Sequence, residues 1–370
     1  MNLVTLFASL LALSILPARS AEVATPSDTA RFLAGLPPAA DSPLAALAKE
    51  ASWQEHANRF NSMFSQDDKT HLSKIREFAK AHLQTPHATM LYMFSGPDAL
   101  HALAFFPDAS TYVLSGLEPV GDVPQLTSLP RGTIARTLHG LETALDSLLT
   151  ISFFITKNME TQLRPGPVFG TLPVIYVFLA RTGKTVQETS FVNLDSAGNE
   201  IAPSASAAKG AAKGVKIVFT SGEGAKPQTL YYFSTNLAND GVKNSGFLAF
   251  CDKLGVADSF TKSASYLLHS GGFSTVRSFM LDHSATILQD DSGIPVSYFD
   301  RRKWQLQPIG RYVGPISIFG RNYQSQLADL FRKDHPIPID FGIGYRWRTN
   351  ESNLLLATRI PDQAPEPKSN

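Results

Sequence analysis

The chain has 370 residues, 43% of them hydrophobic, enough for one large core or two modest ones. Its 33 Lys and Arg balance 32 Asp and Glu, and a formal net charge of +1 leaves no electrostatic footprint for nucleic acid or an anionic membrane surface. The one cysteine, Cys251, excludes an intrachain disulfide, and its apolar helical surroundings mark it as a small buried hydrophobe rather than a nucleophile.

Residues 1–20, MNLVTLFASLLALSILPARS, read as a secretory signal. Leu6 to Leu16 has the length of an apolar h-region, Pro17 breaks it, and small residues near Ser20 suit a signal peptidase. The n-region carries no Lys or Arg, and the run is short for a bilayer span. The expectation is a protein exported to the periplasm or the extracellular space, with no transmembrane segment after signal removal.

Residues 21–50, rich in Ala, Pro and Ser, read as a flexible leader with one short helix near Asp28 to Leu36. The stretch 51–83 is helical by spacing, with a cap at Ser65 and Asp68 separating two helices. Ala88 to Phe94 reads as a strand, Ala99 to Phe106 as a short helix and Ser110 to Leu117 as a strand, which together suit a parallel pair with a crossover. Thr133 to Glu160 is the longest helical pattern. Strands are expected at Leu172 to Ala180, Val186 to Asp195, Val215 to Thr220 and Thr229 to Ser234, as an antiparallel meander. The small-residue loop Pro203 to Gly214 interrupts it and marks a candidate sub-boundary.

Further on, Gly246 to Leu254, Phe273 to His283 and Tyr323 to Lys333 read as helices. Ala285 to Gln289, Ile294 to Phe299, Ser317 to Phe319, Phe341 to Trp347 and Leu354 to Thr358 read as strands. Ser263 to His269 fits either type. Residues 361–370 read as a disordered tail. The whole is α+β: a mixed, mostly antiparallel sheet packed with helices, with a helical N-terminal region, in one globular domain over residues 51–360.

No nucleophile elbow, phosphate loop, zinc-helix motif or dinucleotide fingerprint is present. No metal-ligand spacing and no obligatory bound cofactor are expected. Suspicion falls instead on polar residues at strand ends. Ser95 and Asp98, in Ser95-Gly96-Pro97-Asp98, follow one strand and open a helix, and Glu118 ends the next strand. The same residues also suit an ordinary helix start. His269 precedes a Gly-Gly break, with Arg277 about one turn into the following helix. Asp290 and Asp291 stand before Ser292-Gly293, which reads mainly as a hairpin turn, with Asp290 the better placed to face a cleft. Trp304, Tyr345 and Trp347 belong to a late aromatic and arginine-rich region able to stack on a polar ligand.

Two expectations follow. One is an exported binding or envelope-associated protein with a polar and aromatic cleft for a small molecule or carbohydrate. The alternative is a cofactor-independent exported hydrolase, with His269 or a carboxylate among Asp98, Glu118 and Asp290 as general base, Ser95 as a nucleophile and Arg277 holding an anion.

Overall fold

The computed structural model describes residues 23–83, 87–151, 168–204 and 209–361. The expected signal, the far end of the helix read to Glu160, the middle of the small-residue loop and nearly all of the expected tail lie outside the described residues.

Ten strands form one sheet: β1 (Thr89–Tyr92), β2 (Thr111–Gly116), β3 (Thr185–Leu194), β4 (Glu200–Ile201), β5 (Lys213–Thr220), β6 (Gln228–Ser234), β7 (Ala257–Thr261), β8 (Ser284–Gln289), β9 (Trp304–Gly310) and β10 (Asn353–Arg359). Their order is β4-β3-β5-β6-β2-β1-β7-β8-β10-β9. The central strands β6, β2, β1, β7 and β8 are mutually parallel. Antiparallel wings flank them, β5, β3 and β4 on one side and β10 and β9 on the other. The α+β class and the mixed sheet expected from the sequence are therefore present.

The winding of the centre decides where a ligand can go. From β1 the chain moves outward to β2 and then β6. It then returns to the other side of β1 for β7 and β8. This reversal opens a crevice beyond the carboxyl ends of the strands, between the connections that leave in opposite directions.

Helices cover both faces. Strand side chains alternate, so Met90 and Tyr92 face one core while Leu91 and Met93 face the other. The first core takes α1 (Pro26–Leu33), α2 (Ala51–Asp67), α3 (Ser73–His82), α4 (Ala99–Phe105), α5 (Arg131–Ile151) and α6 (Leu172–Arg181). The second takes α7 (Asn239–Val242), α8 (Phe247–Lys253), α9 (Ser274–His283) and α10 (Ser325–Lys333). Cys251 is buried in this second core. Within the segment read as a flexible leader, Phe32 and Leu33 are fully buried, and α1 packs on α6. Among the described residues no helix is long and apolar enough to cross a membrane.

Several expected elements differ. Leu172 to Ala180 is a helix, not a strand. Every residue from Leu172 to Ala180 is buried, so no amphipathic period exists to read, and Pro173 suits the first helical turn. The break expected at Ser65 and Asp68 is a π-helical turn, Asp68–Leu72, inside one continuous helical path. Ile294 to Phe299 and Ser317 to Phe319 are not strands but carry 3₁₀ turns, Val296–Tyr298 and Ser317–Asn322. Phe341 to Trp347 keeps only the isolated bridge between Ile343 and Arg346, because Gly344, at φ 67°, turns the chain. Conversely β9 was not legible. It contains Pro308, which an edge strand tolerates because no ladder partner needs its missing N–H.

Candidate functional site

A half-open cavity of about 170 Å³ lies at the carboxyl ends of β1, β2, β6 and β7. That is the crevice the strand order opens. Three residues singled out from the sequence, Ser95, Asp98 and Glu118, line it together. Its other walls are the turn after β6, at Thr235 to Leu237, and the turn after β7, at Lys262 to Ser265.

The backbone around it is unusually twisted. Five non-glycine residues have positive φ among the described residues: Phe94, Ser263, Ser265, Tyr266 and His335. The first three line the cavity, and Tyr266 adjoins it. Such conformations cost of order 1–3 kcal/mol each and persist only where surrounding structure imposes them. Their clustering at one cavity separates it from an ordinary surface dimple.

Asp98 caps α4, accepting the His101 N–H at 3.2 Å. It is also the hub of a buried polar knot. Its carboxylate meets Lys262 Nζ at 3.0 Å and His101 Nδ1 at 3.0 Å, and accepts the Tyr92 hydroxyl at 3.0 Å. Burial acts to raise its pKa, but the charges and hydrogen bonds of His101 and Lys262 outweigh that and hold it well below the carboxylate range. Both the helix-start reading and the cavity-facing reading of Asp98 thus apply to one residue.

Glu118 is arranged differently. Its backbone carbonyl accepts the Tyr232 hydroxyl at 2.8 Å, which fixes the residue, and Oε2 meets the same hydroxyl at only 3.4 Å. The carboxylate lies over two glycines. A Cβ on Gly96 would approach Oε2 to 3.6 Å, and one on Gly116 would collide with it. Gly116 therefore makes the room that Glu118 occupies, while a Cβ on Gly96 would only be in ordinary contact with it. No cation pairs with Glu118 among the described residues.

Ser95 donates its hydroxyl to the Gly96 carbonyl at 2.8 Å and accepts the Ser115 N–H at 3.1 Å. Among the described residues no imidazole or carboxylate accepts its proton. The rest of the lining is apolar: Phe94, Leu117, Leu237, Leu267 and Phe273. Leu117 is 67% exposed, at the rim.

The remaining sequence candidates do not line this cavity. His269 packs edge-on against Tyr266, and burial lowers its pKa to about 4. Arg277 donates to the carbonyls of Leu268 and Ser270 at 2.7 and 3.1 Å, and its guanidinium stacks on Tyr298. Trp304 is buried in the second core against Phe299, and Trp347 stacks with Arg348. Tyr345 stands behind the cavity wall, donating to the Ser263 carbonyl at 2.9 Å.

The Asp290-Asp291 stretch is not the hairpin tip expected for it. β8 pairs with β7 and β10, so no hairpin returns here. The Gln289 side chain closes the turn instead, bonding both the N–H and the carbonyl of Ile294. Residues 290–293 are buried. Asp290 faces neither solvent nor the cavity but the backbone N–H of Ser263, at 2.8 Å. Among the described residues no three His, Cys, Asp or Glu side chains gather as a metal set.

Sequence reasoning missed Lys262 and the turn it begins. The rule that found Ser95 and Glu118, polar residues just after a strand, would have found Lys262. It failed because β7, Ala-Asp-Ser-Phe-Thr, has buried polar residues and does not read as a strand. Asp258 is tolerated there because the His87 backbone N–H and Nδ1 bond it at 2.6 and 3.1 Å.

The fold and cavity define a mixed-sheet protein with a doubly wound parallel centre and a half-open crevice at its switch point. Comparison with protein-family models, curated proteins and solved structures finds no match for this chain.

Proposed function

We propose that this is an exported small-molecule-binding protein, and that its cavity takes a nucleoside-type ligand that is neutral or cationic. The observation that carries this is Glu118: a buried carboxylate after the second parallel strand, over two bare glycines, with no cation of its own. In dinucleotide-binding sheets, whose first turn carries a glycine-rich fingerprint that this chain lacks, an acidic residue about twenty positions further on bonds a ribose hydroxyl. Glu118 stands 22 positions after Gly96. The apolar walls at Leu117, Phe94 and Phe273 suit a flat base.

Charge argues against phosphate. Two carboxylates, Asp98 and Glu118, line the cavity, and the amine of Lys262 is engaged by Asp98. A phosphorylated ligand would meet net negative charge without the glycine-rich cradle that nucleotide sites use. The hydrolase alternative is less well supported. The Ser95 hydroxyl has no base beside it, Asp98 is fully engaged, and His269 does not line the cavity.

Calorimetric titration tests this with adenosine and S-adenosylmethionine as uncharged and cationic probes, and ADP-ribose as the anionic one. The first two should bind more tightly than the third, and Glu118→Gln should weaken them at least tenfold. Equal binding of all three, or none lost in Glu118→Gln, would overturn the reading. Export, read from residues 1–20, is part of the proposal. N-terminal sequencing of the mature protein should begin close to residue 21.

A further inference from the structure

Neither Asp290 nor Asp291 lines the cavity, yet its wall hangs from them. Asp290 Oδ2 accepts the N–H of Ser263 at 2.8 Å. Oδ1 accepts the Ser292 N–H at 2.9 Å and the Ser292 hydroxyl. The Ser292 hydroxyl oxygen in turn accepts the N–H of Ala264 at 2.8 Å. Asp291 Oδ2 accepts the Tyr266 hydroxyl at 2.7 Å. Residues 263, 264 and 266 are thus tied, directly or through one serine, to the two carboxyls. Ser263, Ser265 and Tyr266 have φ of 51°, 51° and 53°, the left-handed region that side chains avoid. Without tethers this turn has no reason to keep its shape.

We propose that Asp290 and Asp291 are positioning residues whose hydrogen bonds brace the 263–266 turn as the wall of the cavity, so that ligand affinity depends on those bonds. The inference rests on the reading that the cavity binds a small molecule.

Two neighbouring carboxyls buried together do not both ionise readily. Asp291 has the better support for a charge: the Tyr266 hydroxyl, Asn353 and the charge of Arg346 all favour its anion, although burial still raises it. Asp290 has no cation. Burial first, and the charge of Asp291 second, push it up to about 7. The other titratable groups facing the pair stay neutral near that pH. The Tyr92, Tyr266 and Tyr345 phenols are raised, chiefly by burial, and His269 is lowered to about 4. A proton on Asp290 Oδ1 is compatible with the tethers. It is donated to the Ser292 oxygen, reversing the bond between them so that the Ser292 hydroxyl proton turns away from Oδ1, and that oxygen still accepts from Ala264 while Oδ2 still accepts from Ser263. Loss of that proton to solvent leaves two buried like charges and loosens the turn.

The test follows hydrogen exchange in residues 257–268 of the full chain from pH 5.5 to 8.5, corrected for intrinsic exchange, alongside titration with adenosine. In the native protein, protection and affinity should both fall about tenfold as Asp290 ionises. Asp291→Asn removes the like charge while its amide can still accept from Tyr266. It should keep acid-side protection and lose its dependence on pH in this range, or move the midpoint to more acidic pH by about one unit. Asp290→Asn reproduces the neutral acid, its amide donating to the Ser292 oxygen and its oxygen accepting from Ser263, and should keep protection at every pH, whereas Asp290→Ala removes both tethers and should lose it at every pH. Protection unchanged in Asp290→Ala would overturn the brace, and protection that is flat with pH in the native protein, or an unmoved midpoint in Asp291→Asn, would overturn its dependence on the proton. Protection that follows pH while adenosine affinity does not would overturn its link to binding. If protection behaves as expected and no probe binds, the brace stands and the proposed ligand falls.

Discussion

Asp98 and Asp290 occupy matching places and behave in opposite ways. Each follows a parallel strand, β1 or β8, and each is almost wholly buried. Asp98 meets Lys262 and His101 and is held as an anion. Asp290 meets Asp291 and is driven toward the neutral acid. Desolvation penalises both charges. The sign of the nearest charge decides which carboxyl keeps its proton. The lesson is that strand-end position marks a carboxyl as worth inspecting but says nothing of its ionisation.

The sharpest way to break this contrast is to strip Asp98 of its cation. Lys262→Met leaves Asp98 with His101 and Tyr92 as its only partners among those named and should cost about 1.5–3 kcal/mol, the range for a lost hydrogen bond to a charged group. Chemical denaturation measures it, and the double variant Asp98→Asn with Lys262→Met should lose clearly less. If single and double variants lose equally, Asp98 does not depend on Lys262 for its charge.

Gly116→Ala comes next. Its new methyl collides with the Glu118 carboxylate, which must move. Affinity for the nucleoside probes should fall at least tenfold, about 1.4 kcal/mol, while thermal stability changes little by comparison. An unchanged titration would remove Glu118 from the site.

The pH dependence of stability separates the two aspartates. The folded pKa of Asp98 is depressed. Its contribution is present above the unfolded value of about 4 and is lost as pH falls through the folded value. Asp290 is the reverse. Its raised pKa contributes stability that is present below about pH 4 and is lost as pH rises through about 7. Melting temperature should therefore decline between pH 5 and 8. Asp291→Asn should recover about 1.4 kcal/mol at pH 8 for each unit by which it lowers Asp290. A melting curve that is flat from pH 5 to 8 would contradict the raised pKa.

The smallest effect expected is that of Tyr345→Phe. It removes the hydroxyl that donates to the Ser263 carbonyl at 2.9 Å and accepts the Ser265 N–H at 3.2 Å. A loss of about 0.5–1.5 kcal/mol is expected, with faster exchange confined to the turn after β7. Exchange that rises elsewhere but not in that turn would show that Tyr345 is not part of the wall.

Local pattern was sufficient for much of the fold. The β1–α4–β2 unit was legible because each element is a short apolar run bounded by turn chemistry, with Ser95-Gly96-Pro97-Asp98 supplying the turn between the first two. Glu118 and Asp98 were legible as cavity residues because strand ends in parallel sheets face ligand crevices. The antiparallel strands β3, β5 and β6 were legible from their alternation. The helix Leu172–Arg181 was not, since burial on all sides erases periodicity. Nor was β7, whose buried Asp258 is made tolerable by His87, a residue 171 positions away.

The sequence by itself determined the class of the chain, the local elements that carry their own hydrophobic period, and the position of polar residues at strand ends. Those are properties of neighbours along the chain. The tertiary structure alone decided that β7 would stand beside β1, that Lys262 would neutralise Asp98, and that Asp290 would lie behind the cavity wall rather than in it. These depend on strand order and on desolvation, and both arise only when segments that are not neighbours along the chain are packed together.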